Sequence, residues 1–103
     1  MNRPYVPDRG DLIWLEPDAK RAALVLSPKP YNEATGLALV CAVTGRIKGY
    51  PFETALPSGL IVSGVVLADH ATTLDWRGGN TAFADRAPPA LVADALAKLR
   101  TLL

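Results

Sequence analysis

The sequence is poor in the residues on which metal and thiol chemistry depend. Its 103 residues contain one cysteine and one histidine, Cys41 and His70, with carboxylates only scattered around them. Because metal centres need several His, Cys or carboxylate ligands at suitable spacing, neither a metal site nor a cofactor is predicted. A lone cysteine also forms no internal disulfide, and Cys41 lies in an apolar run, so it is interpreted as a small buried residue rather than a reactive thiol.

Long apolar segments are absent as well. No unbroken apolar run approaches the roughly 20 residues of a membrane-spanning helix, and the N-terminus shows no signal-peptide pattern. We therefore expect a soluble, cytoplasmic protein with no membrane partner. The length predicts one domain, residues 1–103, with one modest core.

Two kinds of catalytic motif are also missing. The glycine pair at 78–79 opens no helix, so no phosphate-binding loop is predicted. His70, in the sequence ADHAT, has no serine or cysteine beside it that would suggest a nucleophilic triad. A structural or surface histidine is the simpler interpretation, and an auxiliary catalytic role is the alternative.

What the sequence does have is a segregated charge. The formal net charge is only +1, yet residues 20–48 carry an excess of +4 and the remainder an excess of −3. The cations of this segment are Lys20, Arg21, Lys29, Arg46 and Lys48. Such asymmetry favours an anionic partner, nucleic acid first among them, although chance clustering of surface cations is the alternative.

Short strand-like runs separated by Gly and Pro predict a mainly β fold. The runs are residues 11–16, 22–27, 37–44, 52–56, 63–67, 72–76 and, shorter, 81–84. After Pro88 and Pro89 the apolar residues recur at helical spacing, which predicts one amphipathic C-terminal helix. Together these elements indicate a small barrel or sandwich, which we interpret as a compact β-barrel closed on one side by the helix.

Arg21 and Thr44 are the candidate site residues that this pattern brings together. Arg21 stands at the start of one predicted strand, and Thr44 stands at the end of the next. Neighbouring antiparallel strands place these two positions at the same sheet edge. A guanidinium and a hydroxyl suit a phosphodiester, although a solvated edge charge and an ordinary β-branched strand residue are the structural alternative.

Four ordered blocks resemble the MazF/PemK-type toxins, the mRNA interferases of type II toxin–antitoxin modules. The blocks are YVPDRGDLIWLEPD, RAALVLSPKPYNEATG, VTGRIKGYPFE and VVLADHATTLDWR. The resemblance implies an SH3-like small barrel that forms a homodimer. It also implies sequence-specific, metal-independent cleavage of single-stranded RNA to a 2′,3′-cyclic phosphate and a 5′-OH end.

Carried over onto this sequence, the resemblance implies that Arg21 and Thr44 are catalytic. The cationic segment is then the RNA-binding surface, with Lys20, Lys29, Arg46, Lys48 and Tyr50. The implied partners are single-stranded RNA and a cognate antitoxin with an acidic, disordered segment. A catalytically inactive SH3-like binding module and a topoisomerase-poisoning toxin of similar fold are the alternative functions.

The sequence departs from the family pattern at two places. The connection between the first two strands is short, with Pro17 to Lys20 joining them and Ala22 where relatives carry proline. The second departure is His70, where relatives tend to carry glutamine. The short connection predicts a groove that is open in the free protein.

Overall fold

The computed structural model describes residues 5–16 and 21–103. Within these residues, short apolar runs and turn residues give six strands and two helices. In chain order these are β1 (Asp11–Glu16), β2 (Arg21–Val25), α1 (Lys29–Thr35), β3 (Ala38–Thr44), β4 (Glu53–Ala55), β5 (Val65–Leu74), β6 (Ala82–Arg86) and α2 (Pro89–Arg100).

All six strands belong to one antiparallel sheet with the order β4-β5-β3-β2-β1-β6. The predicted mainly β fold with a C-terminal helix is thereby confirmed. In the part of the chain that the structure describes, the sheet is roughly barrel-like but not closed, since β4 and β6 form its two edges.

The two strands predicted at residues 63–67 and 72–76 are one strand, β5. Both of its ends pair with β3, and the register shifts between Cys41 and Val43. The extra residues of β5 at this bulge lie between Val66 and Ala71. A bulge inserts residues without ending a strand, so the alternation that marks a strand is interrupted in the sequence although the pairing continues.

Helix α1 was not predicted, because Pro28 and Pro30 read as turn residues. Pro30 lies in the first turn, where a missing N–H costs no intrahelical hydrogen bond. Asn32 of this helix is fully buried. Its amide donates to the carbonyl oxygens of Pro7 and Ser27 at 2.8 and 3.0 Å, so a local and a long-range hydrogen bond stabilise a segment of only two turns.

Helix α2 covers one face of the sheet, as its apolar stripe predicts. Leu91, Val92 and Ala95 are buried against the larger of two apolar clusters, which includes Leu24 and Val66. A smaller cluster around Val25, Val40 and Trp76 occupies the other face. No helix within the described residues is long and apolar enough to cross a membrane.

Cys41 is a core residue, as its apolar surroundings predict. Its side chain is fully buried in β3, with Sγ 3.8 Å from the carbonyl oxygen of Ala68. Burial raises the pKa of the Cys41 thiol to about 11, and the nearby Asp69 carboxylate adds to the shift. The thiolate form is therefore scarce at neutral pH.

Candidate functional site

The register of β2 and β3 brings Arg21 and Thr44 together. Ala22 pairs with Val43, so the next position along both antiparallel strands places Arg21 opposite Thr44. Side chains at directly opposite positions project from the same face, with Cβ atoms about 5 Å apart. Arg21 is exposed and Thr44 is half-buried, so both side chains are accessible to a ligand.

The hydroxyl group of Thr44 is oriented by the chain that follows it. Thr44 Oγ1 accepts a hydrogen bond from the backbone N–H of Arg46 at 3.1 Å. This contact leaves the hydroxyl proton for an acceptor outside the strand. Thr44 can therefore donate to an anionic oxygen beside the cation of Arg21.

A groove of about 410 Å³ begins at Thr44. It lies on the sheet face opposite α2, because β3 and β5 alternate and the neighbouring residues Val43 and Val66 pack towards the helix. The groove is lined by Thr44, Arg46, Lys48, Tyr50, Glu53, Leu67, Asp69 and His70. Cationic, aromatic and hydrogen-bonding side chains thus meet in one concave surface.

Residues 45–52, here called the basic loop, form one wall of this groove. Glu53 accepts hydrogen bonds from the backbone N–H groups of Lys48 and Gly49, both at 2.8 Å. The Tyr50 hydroxyl donates to Asp69 Oδ1 at 2.7 Å, which joins the basic loop to β5. Two carboxylates therefore hold a loop that carries two cations.

The hydrogen bond to Asp69 shifts the pKa of Tyr50. It raises the pKa of the Tyr50 phenol to about 12, because ionising the phenol would break the bond and place two anions side by side. We expect Tyr50 to titrate near this value, and the Asp69→Asn substitution to lower it. Absorbance at alkaline pH, compared with Tyr50→Phe, isolates this residue from the other tyrosines. A Tyr50 pKa unchanged by Asp69→Asn would contradict the contact.

The structure brings most of the predicted site residues together. Arg46, Lys48, Tyr50 and His70 line the groove with Thr44, and His70 Nε2 is 4.0 Å from Asp69 Oδ1. Arg21 lies beside Thr44 across the strand register but is not among the residues that line the groove. Its guanidinium instead lies 3.6 Å from Glu16, in an exposed ion pair that contributes little to stability.

One of the predicted RNA-binding residues, Lys29, does not line the groove. Lys29 begins α1 and lines a separate depression with Trp76 and Arg77, at the Ala38 end of β3. A strand of seven residues spans about 20 Å, so Lys29 lies far from Thr44. Lys20 falls outside the described residues. A role of either residue in RNA binding stays a prediction.

Sequence reasoning missed the acidic residues of the site. Glu16, Glu53 and Asp69 contact the predicted cations or the loop that carries them. The only sequence signal was the position of Glu53 at the end of RIKGYPFE, which follows the basic residues directly. Asp69 could not be placed without the pairing of β3 with β5.

Comparison with known proteins identifies the family. Residues 8–103 match the model of the PemK-like, MazF-like toxins of type II toxin–antitoxin systems. The endoribonuclease toxin MazF of Escherichia coli K12 is 47% identical over 81 residues, which cover 71% of this chain and 72% of the relative. The E. coli endoribonuclease PemK is 29% identical and aligns with 100% of this chain and 90% of its own length.

A solved structure gives the same result. A crystal structure of MazE–MazF from Deinococcus radiodurans contains a chain that is 52% identical to this one and superposes with a TM-score of 0.92. The match covers 96% of each chain. The chain therefore belongs to the PemK-like, MazF-like toxin family of type II toxin–antitoxin systems.

Proposed function

We propose that this protein is an endoribonuclease toxin that cleaves single-stranded RNA, including mRNA, at a short sequence in the cytoplasm, and that a cognate antitoxin inhibits it. The family supports the reaction class, because the relatives MazF and PemK are endoribonucleases. The observation that supports the proposal for this chain is Thr44 at the head of a groove lined by cations, with Arg21 opposite it in the strand register.

The proposed reaction is attack of a ribose 2′-OH on the adjacent phosphorus. The 2′-oxygen forms a bond to phosphorus and loses its proton, while the bond to the 5′-oxygen breaks and that oxygen takes up a proton. The products are a 2′,3′-cyclic phosphate and a 5′-OH end. No metal is needed for this balance of atoms, and no cluster of three metal-ligating side chains occurs among the described residues.

Arg21 and Thr44 would act on the charge that develops during this step. The pentavalent phosphorane is more negative at its equatorial oxygens than the substrate, so fixed donors there stabilise the transition state selectively. Arg21 carries a permanent positive charge, which suits charge stabilisation better than proton transfer. His70 is the auxiliary candidate for moving a proton, since it lies in the same groove.

Incubation with a long RNA transcript in EDTA tests the proposed function. Discrete cuts whose upstream ends carry cyclic phosphate and whose downstream ends carry 5′-OH are the expected result. Mapping those ends also identifies the recognised sequence. Intact RNA that still binds the protein would instead support an RNA-binding module without catalysis.

Reversing the charge of Lys48 should weaken RNA capture. Lys48→Glu places an anion in the groove, so affinity for RNA of any sequence should fall, by about tenfold or more at low salt. The slope of affinity against salt concentration should also become shallower. Lys29→Glu, at the far end of β3, tests separately whether that predicted RNA-binding residue contributes. An unchanged affinity of Lys48→Glu across a salt titration would place the RNA elsewhere.

The antitoxin is proposed to bring an acidic, disordered segment with apolar anchors into the groove. Charge complementarity with Arg46 and Lys48 supports this choice, and so does Ile47 between them, whose side chain is 66% exposed. A segment that orders on binding can match both features. An inhibitory partner that leaves RNA binding intact would contradict the shared groove.

A homodimer is proposed on the basis of a separate apolar surface. Tyr31 and Leu103 are 47% and 92% exposed, and with Leu96 and Leu99 they line an open depression between α1, α2 and the sheet. Exposed apolar side chains grouped in this way favour association with a second copy about a two-fold axis. Sedimentation that shows a monomer at micromolar concentration would contradict the dimer.

A further inference from the structure

The backbone of the basic loop makes few hydrogen bonds to other backbone groups. Among the described residues, the backbone–backbone hydrogen bonds of this loop lie at its C-terminal end, where the Tyr50 carbonyl accepts from Glu53 N–H at 3.1 Å and the Phe52 carbonyl accepts from Ala68 N–H at 2.9 Å. Side chains bind the loop instead. Thr44 binds the N–H of Arg46, Glu53 binds those of Lys48 and Gly49, and Asp69 binds the Tyr50 hydroxyl.

Glu53 is the main anchor in this set. One carboxylate oxygen binds the N–H of Lys48 and the other binds the N–H of Gly49. Gly49 has φ +82°, a left-handed backbone conformation that glycine adopts without strain. Both oxygens of Glu53 are thus engaged in charge-assisted hydrogen bonds, which are the stronger kind.

The backbone of Glu53 is itself anchored to α2. Strand alternation points the Glu53 side chain to the groove and the next side chain, Thr54, to the helix. Lys98 Nζ donates to the Glu53 carbonyl oxygen at 2.7 Å and to Thr54 Oγ1 at 3.1 Å. Asp94 completes the contact by accepting from Thr54 at 2.7 Å and from Lys98 at 2.8 Å. The backbone that carries the Glu53 carboxylate is therefore fixed to α2.

A carboxylate in this place is unfavourable for RNA by charge alone. It lies in the groove beside Arg46 and Lys48, where it repels a phosphate and partly cancels their attraction. It is also a poor candidate for the proton acceptor, because both of its oxygens already bind N–H groups. Its hydrogen bonds to Lys48 and Gly49 instead indicate a role in fixing the conformation of the basic loop.

We propose that Glu53 is a positioning residue for RNA cleavage, which holds the basic loop so that Arg46 and Lys48 meet the phosphates next to Thr44. This role rests on the proposed endoribonuclease function. Without the carboxylate the loop samples other conformations, and the cations spend less time where the scissile phosphate needs them. Glu53 then favours cleavage by holding the loop, although its negative charge alone disfavours RNA binding.

Glu53→Gln tests whether the anchoring by Glu53 outweighs the effect of its charge. The amide has nearly the same shape and removes the charge, but only one of its two terminal atoms accepts a hydrogen bond, so one of the two loop N–H groups loses its partner. Glu33→Gln, on exposed α1, removes the same charge at the far end of the molecule and is the matched control. Single-turnover cleavage of a long transcript, with protein in excess, separates the maximal rate from the half-saturating concentration.

The positioning role predicts that Glu53→Gln lowers the maximal rate about 10- to 100-fold, the value of a hydrogen bond to a charged group. The Lys48 and Gly49 amides should exchange with deuterium at least about tenfold faster. The shape of the pH–rate profile should be unchanged, because no base has been removed. Glu33→Gln should leave all three measurements as in the wild type.

Three results would overturn the positioning role. They are cleavage by Glu53→Gln at the wild-type rate or faster, slower cleavage with both amides still protected, and loss of the acid limb of the pH–rate profile, which would make Glu53 the base. A wild type that cuts no RNA overturns the proposed function and this role in cleavage with it. In that case unchanged amide exchange in Glu53→Gln would overturn the anchoring separately, so the two failures are distinguishable.

Discussion

Thr44→Ala is expected to slow RNA cleavage about 10²- to 10³-fold, the usual effect of removing one donor that binds the developing charge. The free energy of unfolding should change little, because Thr44 ends its strand and the lost contact is one hydrogen bond to the exposed Arg46 N–H. Thr44→Ser keeps the hydroxyl and should retain most of the rate. The measurement is single-turnover cleavage together with thermal unfolding.

Arg21→Ala should have a similar effect for a related reason. Its side chain is 66% exposed and its ion pair with Glu16 adds little stability, so the fold should persist while the cation beside Thr44 is lost. Arg21→Lys should restore only part of the rate, because the planar fork that binds two phosphate oxygens is absent.

An exposed threonine elsewhere on the sheet provides the control for these variants. Thr72 lies in β5 opposite Val40, away from the groove, so Thr72→Ala should cleave RNA like the wild type. Wild-type rates in both Thr44→Ala and Arg21→Ala would refute the assignment of the site.

Gly64→Ala is expected to damage cleavage although Gly64 does not line the groove. Gly64 has φ +116°, and an added Cβ would lie 2.2 Å from the carbonyl oxygen of Thr44 and 2.9 Å from its carbonyl carbon. The backbone strain alone costs about 1–3 kcal/mol. Relief of the clash must also displace Thr44, so we expect lower stability and a loss of cleavage that persists in the folded fraction.

Gly59→Ala separates the strain from the clash. Gly59 also has a positive φ, +96°, but an added Cβ there meets nothing within 4 Å. Its cost should be confined to stability, which thermal unfolding measures, while the cleavage rate per folded molecule stays at the wild-type value. Equal cleavage rates in the two alanine variants would contradict the proposed dependence of Thr44 on Gly64.

The strands and α2 could be predicted because their signals are local. The alternation that predicts β1 lies within residues 11–16. The apolar stripe that predicts α2 lies within the few helical turns after Pro89. Helix α1 could not be predicted in this way, since it depends on Asn32 reaching Pro7, which lies 25 residues away. The continuity of β5 was hidden for the same kind of reason, because only its partner β3 shows that the bulge belongs to one strand.

In the candidate site, too, local features could be predicted from the sequence and long-range contacts could not. The meeting of Arg21 and Thr44 follows from two strands that are consecutive in the chain, so topology rules were sufficient. Lys29 was predicted on one basic surface with Arg46 and Lys48 but lines a separate depression, because charge counted along a sequence carries no direction in space. The contacts of Glu53 and Asp69 needed β4 and β5 side by side, which is a long-range pairing.

The burial of Cys41 makes the protein convenient for labelling. Its thiol is the only one in the sequence and is shielded inside β3, so thiol reagents should spare it while the fold is intact. A cysteine introduced at the exposed position of Ile47 would then be the single reactive group under native conditions. A fluorophore attached there would report on the basic loop, without any need to remove a native cysteine first.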